Sequence, residues 1–242
     1  MRLDVALLPE RLDHDAVPAS TVLVVDVLRA STTMIAALGS GCAGIVPVAD
    51  AVEARRRGDA MGAAALVAGE RKGRMVEGFD LGNSPLDVTS ERVGGKTLIF
   101  TTSNGTQALL AVRTAASVGI AGLVNLSAAV AWAHAGGRDV TVLCAGDRGH
   151  VSLEDSVCAG LLIDGLLRHE PGAVLSGAAR DVLELGRGYG KAVGRLAHDS
   201  SWARHLALAG GGADVAACLA LDTTTLVPVW LPNIDKVIVG SR

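Results

Sequence analysis

Short, almost purely apolar runs alternate along the chain with stretches rich in helix formers. Residues 3–8, 21–25, 43–48, 64–68, 98–100, 117–123 and 139–144 read as strands, most of them followed within two residues by Gly, Asp, Asn or a hydroxyl residue. Helices are expected from the Ser31-Thr32-Thr33 cap to Gly39, behind the Asp50 cap, and over 107–112, 126–135 and 156–169. Residues 72–87 read as irregular, and 176–221 as mostly helical, broken by glycine clusters at 186–190 and 210–212. Two last strands are expected at 226–231 and 236–239. Strands alternating with helices predict an α/β fold, a layered, mostly parallel sheet flanked by helices. Strands apolar at every position, such as TVLVV at 21–25, predict a sheet covered on both faces. Residues 1–242 are read as one domain, with a helix-rich C-terminal part from about residue 156.

Composition narrows the function classes. Half the residues are hydrophobic, so a large core can form, and with few aromatics it must be filled by Ala, Val, Leu and Ile. A net charge of -3 with scattered Arg argues against a nucleic-acid partner, which would demand a basic face. Cys42, Cys144, Cys158 and Cys218 form no CxxC pair, which argues against a zinc knuckle or disulfide framework and fits a reducing cytoplasm. No run is long enough to span a membrane, and Asp4 interrupts the N-terminal apolar run, which is too short for a signal peptide. A homodimer is the assembly expected from the frequency of soluble oligomers.

The chemistry gathers where strands end. The corner Thr101-Thr102-Ser103-Asn104-Gly105-Thr106 joins the 98–100 strand to a helix. One helix cap needs one hydroxyl or Asn; five such residues in six positions suggest a turn that receives an oxyanion. Other strands end at Asp26 with Arg29 close behind, at Glu70-Arg71, at Asn125, and at Cys144 to Asp147, with Glu154-Asp155 opening the next helix. In α/β sheets, ligands lie beyond the carboxyl ends of the strands. Carboxylates beside hydroxyl and arginine donors suit a magnesium-assisted phosphoryl site, since magnesium takes one or two carboxylates, waters and phosphate oxygens.

Each residue also has a plainer reading. Arg29 can pair with Asp26, Glu70 with Arg71 on the surface, and Asp80 can bond its own loop. Glu154-Asp155 can be a helix N-terminal charge pair, His150 a solvated loop residue, and Cys144 a packed small side chain. The Gly186-x-Gly188-x-Gly190 run follows a helical stretch, so it is no dinucleotide loop. No GxxxxGK[ST] loop, no GxSxG elbow and no second aspartate after Asp26 is present.

Taken together, VVDVLRASTT (24–33), GERKGRMVEGFDLGNSP (69–85), TTSNGTQAL (101–109), CAG (144–146) and LEDSVCAG (153–160) resemble the magnesium-dependent 2-phosphosulfolactate phosphatases, the ComB family, in the family's order. Residues 222–228 are similar to the family's C-terminal end more loosely. Ser103 stands where threonine is common in that family, and Gln107 where a basic residue is frequent. The resemblance implies hydrolysis of (R)-2-phospho-3-sulfolactate to (R)-3-sulfolactate and phosphate, a step of coenzyme M biosynthesis. Another small phosphorylated hydroxy acid is the alternative substrate, and a non-catalytic binder of small anionic metabolites the alternative class. On this reading Asp26, Glu70 and Asp155 hold Mg2+, with Asp26, Asp80 and Asn104 as the catalytic residues and Asp80 positioning the water. Arg29, Arg71, Asn83, Thr101, Thr102, Ser103, Gly105, Thr106 and Gly146 bind the anionic substrate.

Overall fold

The computed structural model describes residues 1–240. The strand β2 (Thr21–Val25) is buried along its whole length. Its alternate side chains explain why: Leu23 and Val25 enter one hydrophobic cluster, Val22 and Val24 another, one on each face of the sheet. The neighbouring strands are β1 (Arg2–Ala6), β3 (Gly44–Pro47), β4 (Ala65–Arg71), β5 (Arg74–Met75), β6 (Thr97–Thr101), β7 (Ser117–Ala121), β8 (Val140–Cys144), β9 (Val174–Leu175), β10 (Pro228–Leu231) and β11 (Lys236–Val239). They form one eleven-stranded sheet in the order β5-β4-β6-β3-β11-β10-β7-β2-β8-β1-β9. Six pairings are parallel and four antiparallel, so the expected mostly parallel α/β sheet is what forms.

Helices cover both faces. They are α1 (Ala30–Gly39), α2 (Ala51–Met61), α3 (Ser90–Val93), α4 (Gly105–Ala111), α5 (Leu126–Ala135), α6 (Leu153–His169), α7 (Gly177–Tyr189), α8 (Leu196–Asp199), α9 (Ser201–Leu206) and α10 (Gly212–Cys218). The buried side chains of α5, α6 and α7 pack on the Leu23–Val25 face, and those of α1 and α4 on the other. The Gly186 run serves packing: a Cβ on Gly160 of α6 would lie 1.9 Å from the Val182 carbonyl oxygen of α7, so glycine lets the two helices touch.

Several boundaries differ from the sequence expectation. β4 runs on through Glu70 and Arg71 because a short hairpin with β5, Glu70 opposite Met75, extends it into the stretch expected to be irregular. α6 begins at Leu153, capped by Ser152, whose hydroxyl accepts from the Asp155 amide at 3.2 Å. The largest difference is topological. The β10–β11 hairpin inserts between β7 and β3, pairing antiparallel with both, so the blocks β4-β6-β3 and β7-β2-β8-β1 run in opposite senses along the sheet. From β4 to β2 there are six steps in the strand order. Sheet twist of roughly 20–25° per step turns the strand direction by about 120–150° over that span, offsetting much of the reversal. Asp26, after β2, and Glu70, at the end of β4, line one cleft.

Candidate active site

Asp26 directly follows β2 and is almost fully buried. Its amide donates to the Ser31 hydroxyl (2.9 Å), and its Oδ1 accepts from the Ala30 amide (3.2 Å), so the start of α1 fixes the side chain. Oδ2 lies against Gly105, where a Cβ would sit only 2.6 Å away. Burial pushes the Asp26 carboxyl up to about 7; the charges of Glu70 and Glu154 add to the rise, while the Ala30 amide and Arg29 oppose it. Behind it, Asp155 is raised well above the usual range by burial and by Asp26, although the amides of Val27 (2.8 Å) and Gly146 (3.2 Å) both donate to it. Glu154, also buried, is raised by burial.

A carboxyl raised in the folded state keeps its proton to higher pH there than in the unfolded chain. Its contribution to stability is present below about 3.8 and is lost as pH rises through about 7. Metal-free protein is therefore expected to melt lower at about pH 8 than at about pH 5, with Asp26→Asn shrinking that gap. Thermal melts of both proteins in chelator check it; an unchanged gap would remove Asp26 as the source.

Asp26, Arg29, Glu70, Asn83, Ser103 and Asn104 line one narrow cleft, so two strand ends and the 101–106 corner share a single hollow. Glu70 organises it: Oε1 accepts from the Ser103 amide (2.7 Å), and Oε2 from the Gly73 amide (2.7 Å) and the Ser103 hydroxyl (3.3 Å). Thr102 and Thr106 lock the corner reciprocally, each amide donating to the other's hydroxyl at 3.0 and 3.1 Å. That leaves the Asn104 and Gly105 amides without intrahelical acceptors. Asn83 Oδ1 is buried and has no donor among the described residues.

Other expected residues stand elsewhere. Asp80 is exposed, outside the cleft, with its carboxylate accepting from the Val67 amide at 2.8 Å; it braces a strand. Arg71 donates to the Glu70 carbonyl (2.7 Å) and the Thr101 hydroxyl (2.9 Å), and neither Arg71 nor Thr101 lines the cleft. Thr102, Thr106, Gly146 and Asp155 support the site from behind through the bonds above. Gln107 donates to the Ala49 carbonyl at 2.8 Å. Cys144 is a buried core residue whose thiol is pushed well up, chiefly by burial.

Sequence reasoning missed partners that arrive from far along the chain. Asp214 of α10 pairs with Arg29 at 2.5 Å, with both side chains about nine-tenths buried, and accepts from the Ser84 hydroxyl at 2.6 Å. Arg29 also donates to the Gly73 carbonyl at 3.0 Å, so its partner is Asp214 and not Asp26. The Leu28–Arg29 peptide bond is cis. Trp202 of α9 lines the cleft and donates from Nε1 to the Leu28 carbonyl at 3.0 Å. Lys72, Asp147 and Arg148 complete the wall. Asp214 and Trp202 lie in a stretch without a recognisable motif; a lone aspartate and tryptophan between glycines carried no local signal.

Among the described residues, no group of three His, Cys, Asp or Glu side chains is placed to hold a metal ion. The expected trio Asp26, Glu70 and Asp155 is therefore no closed coordination shell. Both Asp155 oxygens accept backbone N–H groups, as do both Glu70 oxygens. Magnesium asks for less: one or two carboxylates, with water filling the remaining positions. Asp26 and Asn83, whose buried Oδ1 is unpartnered among the described residues, both line the cleft and offer oxygens of the kind that ion takes.

A family model described as 2-phosphosulpholactate phosphatase matches residues 6–232, which span every residue of this cleft. The chain belongs to the 2-phosphosulfolactate phosphatase family. Relatives named probable 2-phosphosulfolactate phosphatase include one from Thermotoga petrophila, 35% identical over 90% of this chain and 92% of its own length. Another, from Synechococcus sp. strain RCC307, is 38% identical over 94% and 96%. A third, from Clostridium novyi, is 30% identical over 98% and 100%. Likeness to 2-phosphosulfolactate phosphatases thus extends through the C-terminal helices that carry Trp202 and Asp214. Among the described residues, no helix is long and apolar enough to cross a membrane.

Proposed function

We propose that the protein is a magnesium-dependent phosphatase that hydrolyses (R)-2-phospho-3-sulfolactate to (R)-3-sulfolactate and phosphate, the coenzyme M-type step. The observation that carries this reading is the meeting of Asp26, Glu70 and the Ser103-Asn104 corner in one cleft, in a chain of this family. Asp26 Oδ2 and Asn83 Oδ1 would hold the ion, directly or through water. Bound there, magnesium supplies Lewis-acid neutralisation of the phosphoryl oxygens. Glu70 holds the corner in shape, so that Ser103 and Asn104 present their polar groups to the phosphoryl group. Arg29, clamped by Asp214, presents fixed positive charge to it. Asp147 lines the same cleft, as Asp80 does not, and takes the part of the carboxylate that orients water. Water adds to phosphorus as its proton passes to a cleft carboxylate, the P–O ester bond breaks, and that carboxyl returns the proton to the departing oxygen, which leaves as the hydroxyl of sulfolactate.

Phosphate release from a panel of phosphorylated hydroxy acids, with magnesium and then with EDTA, tests this. The expected outcome is fastest release from 2-phosphosulfolactate and loss of more than about nine-tenths of it in EDTA. Undiminished release in EDTA would remove the metal. Tight binding of the esters without any release would make the protein a binder of anionic metabolites.

A further inference from the structure

We propose that Lys72 and Arg148 form the subsite that grips the sulfonate, and so determine which phosphate esters the enzyme prefers; the inference rests on the function proposed above. Both residues are exposed and line the cleft from different turns, Lys72 between β4 and β5 and Arg148 after β8. Both hold left-handed backbone conformations, with φ of 55° and 49°. Glycine would occupy such positions without steric cost, yet the chain places a long cationic side chain there twice, at the edge of one cleft.

The two turns share a support. The guanidinium carbon of Arg148 lies 5.8 Å from the centre of the Trp202 ring. A Cβ on Gly73, next to Lys72, would lie 3.3 Å from Trp202 Cη2. The Arg148 amide also donates to Asn104 Oδ1 at 3.1 Å, tying its turn to the phosphoryl corner.

The other cations near the cleft are committed. Arg29 is held by Asp214 and the Gly73 carbonyl, and Arg71 by the Glu70 carbonyl and Thr101. Lys72 has no ion-pair partner among the described residues. Among the described residues Arg148 has one ion-pair partner, Asp147, held through two bonds at 3.1 and 3.3 Å, with the arginine side chain 59% exposed; a wet pair of this kind exchanges for a ligand oxyanion. The inner cleft carries Asp26 and Glu70 beside Arg29, which Asp214 already pairs, so Lys72 and Arg148 are the cleft cations left for a second anionic group. A three-carbon acid with its phosphoryl group at the 103–104 corner therefore turns its far end toward Lys72 and Arg148. A sulfonate is charged at every working pH and offers three oxygens, enough for an arginine fork and an ammonium together.

The test uses Lys72→Gly, Arg148→Gly, the double variant and Arg148→Lys. Turnover of 2-phosphosulfolactate is compared with that of 2-phospholactate, the same type of ester without the sulfonate, and sulfolactate is tried as a competitive inhibitor. Each glycine variant is expected to lower kcat/KM for the sulfonated ester by about 10- to 100-fold, mainly through KM. The preference over 2-phospholactate should shrink at least about tenfold, sulfolactate inhibition should weaken in parallel, and Arg148→Lys should recover part of both. Melting temperatures should not fall, since glycine suits both turns. An unchanged preference, or equal losses on both esters, would overturn the inference. If the parent enzyme hydrolysed neither ester, the function proposed above would fail. Calorimetric binding of sulfolactate would then decide the subsite separately, weaker binding by the variants supporting it and equal binding refuting it.

Discussion

Asp26→Asn is expected to lower magnesium-supported phosphatase activity by about a thousandfold or more, while making the metal-free protein more stable at about pH 8. The two effects have one cause. Asparagine keeps the Oδ1 acceptor for the Ala30 amide and the same shape against Gly105. It removes a buried negative charge that Glu70 and Glu154 repel. Loss of that charge relieves the folded state, so the melting temperature should rise by a few degrees, at about 2–4 °C per kcal/mol for a chain of this size. The same loss deprives the cleft of its best carboxylate for a cation. Phosphate-release assays and melts in chelator read both effects. Near-normal turnover would show that Asp26 neither holds the ion nor takes part in the reaction.

Asp214→Ala is expected to be the most destabilising single change near the cleft. It leaves the Arg29 guanidinium buried with only the Gly73 carbonyl as partner, and strips Ser84 of its acceptor. Breaking one side of a buried ion pair costs about 3–5 kcal/mol, or roughly 6–20 °C in melting temperature here. Activity should fall with it, because Arg29 is no longer held at the cleft. The double variant Arg29→Met, Asp214→Leu separates the two effects. It should regain most of the stability, since apolar groups can replace a buried pair, but little of the activity. A double variant as active as the parent would take Arg29 out of the site.

The sheet class and the strand ends were legible because they depend on short-range patterns. TVLVV followed by Asp26, and a strand running into TTSNGT, state locally that an apolar strand stops and polar groups begin. Strand order is not a local property. Nothing near β10 says that it pairs with β7, or near β11 that it reaches β3. The direction of a side chain is equally hidden. Arg71 sits in the expected motif yet turns to Thr101, because β4 continues one strand-pair further than its apolar run. Asp80 sits in a motif, yet its carboxylate is taken up by the Val67 amide of β4. Asp214 reaches Arg29 across 185 residues, a separation at which periodicity and capping rules carry no information. The family resemblance identified the chemistry, but it could not distinguish residues that face the cleft from those that hold its walls.

The hairpin between the two parallel blocks also governs how the molecule comes into being. Its first strand starts at Pro228, so a nascent chain has produced β1 to β9 before the hairpin that joins them. Until then β3 and β7 are raw edges of two half-sheets, the kind of surface on which unfinished chains stick to one another. The cleft, which takes Asp26 from one block and Glu70 from the other, is expected to close only once this hairpin has docked.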